Sequence, residues 1–461
     1  MTRSQQADQA YQVAVVGAGA SGTLAAARLL QHARTRQLRL DVRLIDPAEA
    51  GRGVAYGTQD PRHLLNVPAC KMSAYGEDPG HFLRWASTQQ DTAPDPGEFL
   101  PRRLYHRYLV DVLARAAEPG AGVRLHHLRE RVLGLSAHPD RVALRLRPKA
   151  EEPAAEELHA DAVVLALGNF PPTLGWAPPE LLESPHFVAD PWAPGALSAV
   201  PADADVLLVG TGLTMVDAAL TLDRPGRVVY AVSRNGLLPE PHAAGLLPEL
   251  APPVLDESAD PRAAALRQIA TSRRLHGDWR PGVDSLRSVT AALWQRLDLA
   301  ERARFLAEDL RHWEVHRHRI PPRTVSALDS ARADGRLRIG RGEVAQVVET
   351  AAGLKVQLVD GSILEVGAVI NCTGSQADFR RSIDPLVDAL IESGAARPGP
   401  CGLGLDTTGA GLLVPGSGSA PSPLWTLGPL RRGNLLETTA MPEIRDQADS
   451  LADALLAALV R

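Results

Sequence analysis

The chain has 461 residues, 45% hydrophobic, 4% aromatic and 22% charged, with a formal net charge of −5. A chain of this length suits two or three domains with separate cores. Its charge balance leaves no electrostatic footprint for nucleic acid, and its few aromatic residues argue against a stacking surface for single strands.

At the N-terminus, MTRSQQADQAYQ is polar and lacks the apolar core of a signal peptide. No later run is apolar for long enough to span a bilayer. Gln12–Val16 reads as a buried strand, GAGASG as a turn and TLAAARLLQHA as a helix. The next strand, LDVRLID, ends at Asp46. Gly17, Gly19 and Gly22 have G-x-G-x-x-G spacing: a tight turn, a close approach of backbone to a pyrophosphate, and close packing of helix on strand. Asp46 is placed to accept hydrogen bonds from an adenosine ribose. Strand, helix and acid together predict a dinucleotide site.

VRLHHL and RVLGLSAHPDRVALRLR read as strands with a turn at Pro139–Asp140, and DAVVLALGN (Asp161–Asn169) as an apolar strand ending in glycine. The Pro- and Gly-dense stretch 170–204 reads as a crossing between domains. The pattern then restarts with DVLLV, GTGLT, MVDAALTL and RVVYAVSR. This second turn keeps Gly210 and Gly212 but has Met215 at the third site. That site governs packing more than phosphate contact, and a flexible thioether can fill a wider gap. Ser233–Arg234 stands where the first half has Asp46, and a guanidinium there suits a 2′-phosphate. NADPH is therefore expected, against the alternative of a domain that has lost its nucleotide.

Residues 239–335 read as a mostly helical insert. LRIGRGEVAQVVE and LKVQLVDGSILE then read as strands, and VGAVINCTG (Val366–Gly374) closes the second half as DAVVLALGN closed the first. Within the insert, WEVHRHRIPP reads as extended, with His316 and His318 on one face and Arg317 and Arg319 on the other. Two histidines without a third ligand are a weak metal signal, so no metal is expected. The stretch reads as a polar strand organising the insert, with a substrate or phosphate contact from its arginines as the alternative. The last helix starts near Met441, with Pro442 in its first turn. The expected fold is α/β, with two doubly wound Rossmann-type domains. The first domain is discontinuous, comprising 1–200 and a return segment 375–461, and the second is inserted as 201–374. Cys70, Cys372 and Cys401 form no C-x-x-C pair, and so few cysteines fit a cytoplasmic protein without a dithiol site.

GRGVAYGTQDPRHLLNVPACKMSA, GTGLTMVDAAL, SRNGLLPEPH, WEVHRHR, INCTG and LGPLRRGNLLETTAMPEIRDQA together resemble the bacterial FAD–NAD(P)-binding family. These are two-dinucleotide-domain flavoproteins related to class B flavin monooxygenases and amino-acid N-hydroxylases. The resemblance covers nearly the whole chain. It implies FAD on the first turn, with Ser21 beside the glycines, and NADPH on the second, with Thr214. It implies a loop beside FAD at Arg52, Val54, Ala55 and Tyr56, and Asn66 and Met72 near the isoalloxazine. Val132, Gly168, Gly428, Thr438 and Thr439 complete the implied cofactor contacts. The start of the last helix would face the pyrimidine ring and stabilise negative charge on reduced flavin. For Asn66 and Thr439 the plainer readings are loop and helix capping.

The Baeyer–Villiger signature F-x-G-x-x-x-H-x-x-x-W is absent. With the resemblance, this implies NADPH- and dioxygen-dependent hydroxylation of the amine of a small amino acid, acidic ones included, through a flavin C4a-hydroperoxide. The alternatives are NADPH oxidation without oxygen insertion, or a non-catalytic FAD or nucleotide sensor. Arg431 and Arg432 are candidates to hold a substrate carboxylate bidentately, against a solvated surface pair or an FAD phosphate contact. No membrane or nucleic-acid partner is expected.

Overall fold

The computed structural model describes residues 10–89, 91–120, 122–147, 157–255, 260–381 and 383–461. Most of the polar N-terminal stretch lies outside them. β1 (Tyr11–Val16), β2 (Leu40–Ile45), β3 (Val123–Leu128), β7 (Ala162–Leu165) and β16 (Leu424–Thr426) form a parallel sheet in the order β16-β7-β1-β2-β3. Val13, Ala14 and Val15 of β1 have no exposed surface, as a parallel strand covered on both faces requires. One cover is α1 (Ala20–Thr35), with the C-terminal helix Met441–Leu459 packed beside it. Ile444, Ala448, Leu451 and Leu455 recur at helical intervals and join Leu24, Leu29 and Leu30 in one core. The other cover is an antiparallel meander, β4 (Val132–Ala137), β5 (Val142–Leu146) and β6 (Glu157–Ala160), with Phe379, Leu386, Leu390 and Leu405 of the return segment.

The second sheet repeats this plan. It comprises β8 (Phe187–Val188), β9 (Val206–Val209), β10 (Val229–Ser233), β11 (Leu337–Arg341) and β15 (Ala368–Asn371), all parallel, in the order β11-β10-β9-β15-β8. A second meander, β12 (Val344–Thr350), β13 (Gly353–Leu358) and β14 (Ile363–Val366), covers one face through Val347, Val356 and Leu358. Each half thus couples a parallel sheet to a three-stranded meander, the α/β architecture expected of two Rossmann-type units.

Three details depart from the sequence reading. Inside the stretch taken as a crossing, Phe187–Val188 already pairs with β15 as an edge strand. The helix Pro322–Ala333, read as part of the insert, belongs to the second sheet. Leu328 and Ala331 share a core with β9 and β10, and the helix leads into β11, which a parallel connection requires. Finally, WEVHRHR is not extended: Leu310–Arg317 is helical. The His–Arg alternation imitates a period of two, but the chain is helical through Arg317 and leaves the helix at His318. The His316 ring meets Trp279 edge-on at 4.8 Å. Burial lowers the pKa of His318, against the opposing charge of Glu437.

Candidate dinucleotide sites

The first glycine turn sits at the carboxyl end of its sheet. Gly17 has φ +98°, and a Cβ there would stand 2.4 Å from the Ala166 carbonyl oxygen. A Cβ on Gly22 would stand 1.8 Å from the Gly17 oxygen, so both positions exclude side chains. Gly19 is the N-cap of α1, with no side-chain cap and no acid in the first turn. Such an end offers backbone N–H groups and a positive dipole to an anion. Asp46 braces this turn: its Oδ2 accepts from Ala18 N and its Oδ1 from Ala48 N, each at 2.7 Å. Each oxygen keeps a further lone pair for a ribose hydroxyl.

Several sequence candidates converge here. A Cβ on Gly19 would lie 3.5 Å from the Gly53 Cα, so α2 (Gly53–Tyr56) lies against the turn, with Arg52, Val54 and Ala55 exposed beside it. Tyr56 turns inward and packs on Tyr105, ring centroids 4.9 Å apart. Gly168, φ +71°, faces open space just past β7. At the end of β16, a Cβ on Gly428 would meet the Ser21 hydroxyl at 2.7 Å. Thr438 donates to the Gly428 oxygen at 2.8 Å and accepts from Gln447 Nε2 at 2.7 Å. Thr438 therefore braces the Gly428 loop. Thr439 is not the helix cap: Ala440 is, without a side-chain bond, which leaves that helix start open. Met72 and Val132 are buried in the two cores flanking the first sheet, and the Met72 oxygen is taken by the Tyr105 hydroxyl at 2.9 Å.

The second turn has the same construction. Gly210, φ +109°, would place a Cβ 2.2 Å from the Cys372 oxygen, the relation Gly17 has to Ala166. Gly212 is the N-cap of α3 (Leu213–Leu222), with no side-chain cap, no acid in the first turn and open space around it. Thr214, in that first turn, is half-buried. Met215 is fully buried with Val206, Leu208 and Ala218, so it fills the helix–sheet gap and leaves the phosphate-facing side clear. Thr211 donates its hydroxyl to the Leu237 oxygen at 2.6 Å and accepts from the Ser233 hydroxyl at 2.8 Å. Ser233 thereby ties the turn to the end of β10, where Arg234 is exposed. Both turns fit a pyrophosphate: each has a glycine cradle that a side chain would fill and an uncapped helix start.

Groups the sequence reading missed tie the halves together. Arg102 pairs with Asp217 of α3 at 2.8 Å. His63 Nε2 bonds the Asp217 oxygen at 3.0 Å and the Thr221 hydroxyl at 2.9 Å. His242 bonds the Asn66 oxygen at 3.0 Å through Nε2 and packs on Phe99 at 4.6 Å. Burial, helped by the charge of Arg319, lowers the His242 pKa to about 4, so it is neutral and donates. A signal was present in Asp217, an acid in the apolar helix MVDAAL.

The arginines singled out in the sequence have other work. Arg431, 3% exposed, donates to the Thr407 hydroxyl and to the oxygens of Thr408 and Gly409, at 3.3, 3.1 and 2.7 Å. Burial alone lowers its pKa to about 10. Arg432 pairs with Glu314 at 3.0 Å. Neither is a solvated surface arginine: Arg431 is spent on the 407–409 loop, and Arg432 is paired with a carboxylate of the chain itself. Arg317 is buried against Glu437 at 2.9 Å, with Glu443 at 3.6 Å, and Arg319 pairs with Asp284. Among the described residues no group of three His, Cys, Asp or Glu side chains could hold a metal ion, and no helix is long and apolar enough to cross a membrane.

Residues 14–170 match a protein-family model described as FAD-NAD(P)-binding. No curated protein matches the chain. Among solved structures, the reduced form of ornithine hydroxylase from Pseudomonas aeruginosa is similar at 16% identity and TM-score 0.65, over 98% of this chain and 100% of that one. Ornithine N-hydroxylase from Kutzneria sp. 744, with reduced FAD, NADP+ and L-ornithine, is similar at 13% identity and TM-score 0.62, over 98% and 100%. Bacillithiol disulfide reductase from Staphylococcus aureus is similar at 13% identity and TM-score 0.56, over 98% and 99%. The chain has the fold of these proteins, and its residues 14–170 carry the FAD-NAD(P)-binding match.

Proposed function

We propose that the protein is an FAD-dependent, NADPH-using monooxygenase that hydroxylates the amine of a small amino acid. The observation that carries this reading is the pair of uncapped, glycine-cradled helix starts, each at the carboxyl end of its own parallel sheet, in a chain whose fold matches ornithine hydroxylases from end to end. Gly17–Gly22 and Asp46 would hold FAD, with Gly428 and Thr438 shaping the wall opposite. Gly210, Gly212, Ser233 and Arg234 would hold NADPH. We assign 1–200 and 375–461 to the FAD domain, apart from the edge strand Phe187–Val188, which belongs with 201–374 in the NADPH domain.

FAD, when bound, supplies the redox chemistry toward dioxygen; the overall reaction converts amine, dioxygen, NADPH and a proton to hydroxylamine, water and NADP+. The chain's own task is to bind, orient and exclude water. Arg102–Asp217 and His63–Thr221 set the distance between the two cofactor sites. Neutral His242 holds the Asn66 loop without adding charge.

The test is NADPH oxidation by the purified yellow protein across an amino-acid panel, with hydrogen peroxide counted. One amino acid should lower peroxide release and yield a hydroxylamine or nitro product. Peroxide release equal to NADPH consumed, whatever is added, would replace this reading by that of an NADPH oxidase.

A further inference from the structure

We propose that Arg341 is a second guanidinium for the 2′-phosphate of NADPH and forms a two-arginine clamp with Arg234. The inference rests on the NADPH reading above and adds a residue that lies more than 100 positions away in sequence. Arg341 ends β11, and β11 pairs with β10 so that Arg341 lies opposite Ser233. Both strands run parallel and finish at the same edge, the carboxyl end of the strand after the glycine turn. A Rossmann domain reads the adenosine ribose at that edge.

Local geometry holds Arg341 in place. Gly342 N donates to the Ser233 oxygen at 3.0 Å, which fixes the strand end. Arg341 Nε donates to the Arg234 oxygen at 3.3 Å. With Nε committed, the two terminal nitrogens stay free, and they are the ones that grip a phosphate in parallel. Gly236, φ +63°, turns the chain beneath this side chain; a Cβ there would stand 2.9 Å from the Arg341 Cγ. The glycine leaves room for the aliphatic stem.

Arg234 and Arg341 are both exposed, and among the described residues no carboxylate pairs with either. A dianionic 2′-phosphate at this edge would gain charged hydrogen bonds from both side chains. NADH has a hydroxyl at that position and does not gain them. Coenzyme selectivity therefore resides in the pair and not in Arg234 alone.

The test is calorimetric titration of the FAD-loaded protein with NADP+, NAD+ and 2′-AMP. Arg341→Ala and Arg234→Ala should each weaken NADP+ and 2′-AMP by about 10- to 100-fold, the effect of a lost charged hydrogen bond, and shift NAD+ by less than about twofold. If Arg234→Ala has this effect and Arg341→Ala does not, the clamp is overturned and the NADPH reading stands. If Arg341→Ala weakens NADP+ and NAD+ alike, the residue is structural and the clamp is again overturned. Wild-type protein that binds NAD+ as tightly as NADP+ overturns the NADPH reading itself.

Discussion

Glu437→Gln should loosen the helical insert from the segment that leads into the C-terminal helix. Glu437 accepts from Arg317 Nε at 3.1 and 2.9 Å and from Trp313 Nε1 at 2.8 Å. The side chains of Arg317 and Glu437 are only 7% and 9% exposed. Removing one member of such a pair leaves a buried charge and costs about 3–5 kcal/mol. Glutamine keeps an acceptor for Trp313, and Arg317 keeps Glu443 at 3.6 Å, so the low end applies, about 3 kcal/mol. In a unit of about 300 residues, with an unfolding entropy of about 0.6 kcal/mol/K, that corresponds to a midpoint about 5 °C lower. By contrast, Asp111→Asn, which breaks the pair of half-buried Asp111 with exposed Arg115 at 2.8 Å, should change it by about 2 °C or less. The acid dependence follows in sign. Burial pushes the Glu437 carboxyl up, but the charges of Arg317, His318 and Arg287 and the Arg317 hydrogen bond outweigh it and hold the pKa below the usual range. A group depressed in the folded state stabilises above its unfolded pKa, about 4.3, and that contribution fades as pH falls toward the folded value. Thermal melts followed by flavin fluorescence should show the wild-type advantage in full at pH 7 and shrinking below about pH 4.3. A variant that melts within 2 °C of wild type at pH 7 (far less than about 3 kcal/mol predicts), or a gap that does not narrow in acid, would refute the reasoning.

Gly19→Val should yield folded but colourless protein, because the side chain occupies the approach of the pyrophosphate and presses on Gly53; flavin content by absorbance checks this. Met215→Gly should cost about 2–5 kcal/mol by opening a cavity, yet leave NADP+ affinity of the folded protein unchanged. A Met215→Gly protein that gains NADP+ affinity without losing stability would show that the methionine had been blocking the site. His242→Gln should keep a donor for the Asn66 oxygen and flatten the acid dependence of stability. Folded His242, with pKa about 4, refuses a proton that the unfolded chain takes up near pH 6.5, so wild type loses stability as pH falls from about 6.5 to about 4. Melts across that interval should show a shallower slope in the variant.

What the sequence made legible was whatever depends on neighbouring backbone. The strand–turn–helix units are visible because Gly17 and Gly210 must each pass within touching distance of a carbonyl, and only glycine can do so at those angles. Even Met215 could be read, since its site concerns packing. The destinations of the charged side chains were illegible, because their partners lie far along the chain. Arg317 and Glu437 are 120 positions apart, Arg432 and Glu314 118. In WEVHRHR the polar alternation looked extended because the local pattern does not record that Val315, Arg317 and Arg319 are all buried by other elements. The adjacent pair Arg431–Arg432 looked like one functional unit, yet the backbone at a helix start sends one side chain into a hairpin and the other to the insert. Asp217 shows how such contacts announce themselves. A carboxylate on the buried side of an apolar helix is unfavourable without a partner, so its presence in MVDAAL forecasts a cation from elsewhere in the fold. Which cation is a tertiary question, and the answer, Arg102, lies on the first half of the chain, where it couples the helix of the second glycine turn to the loops beside the first.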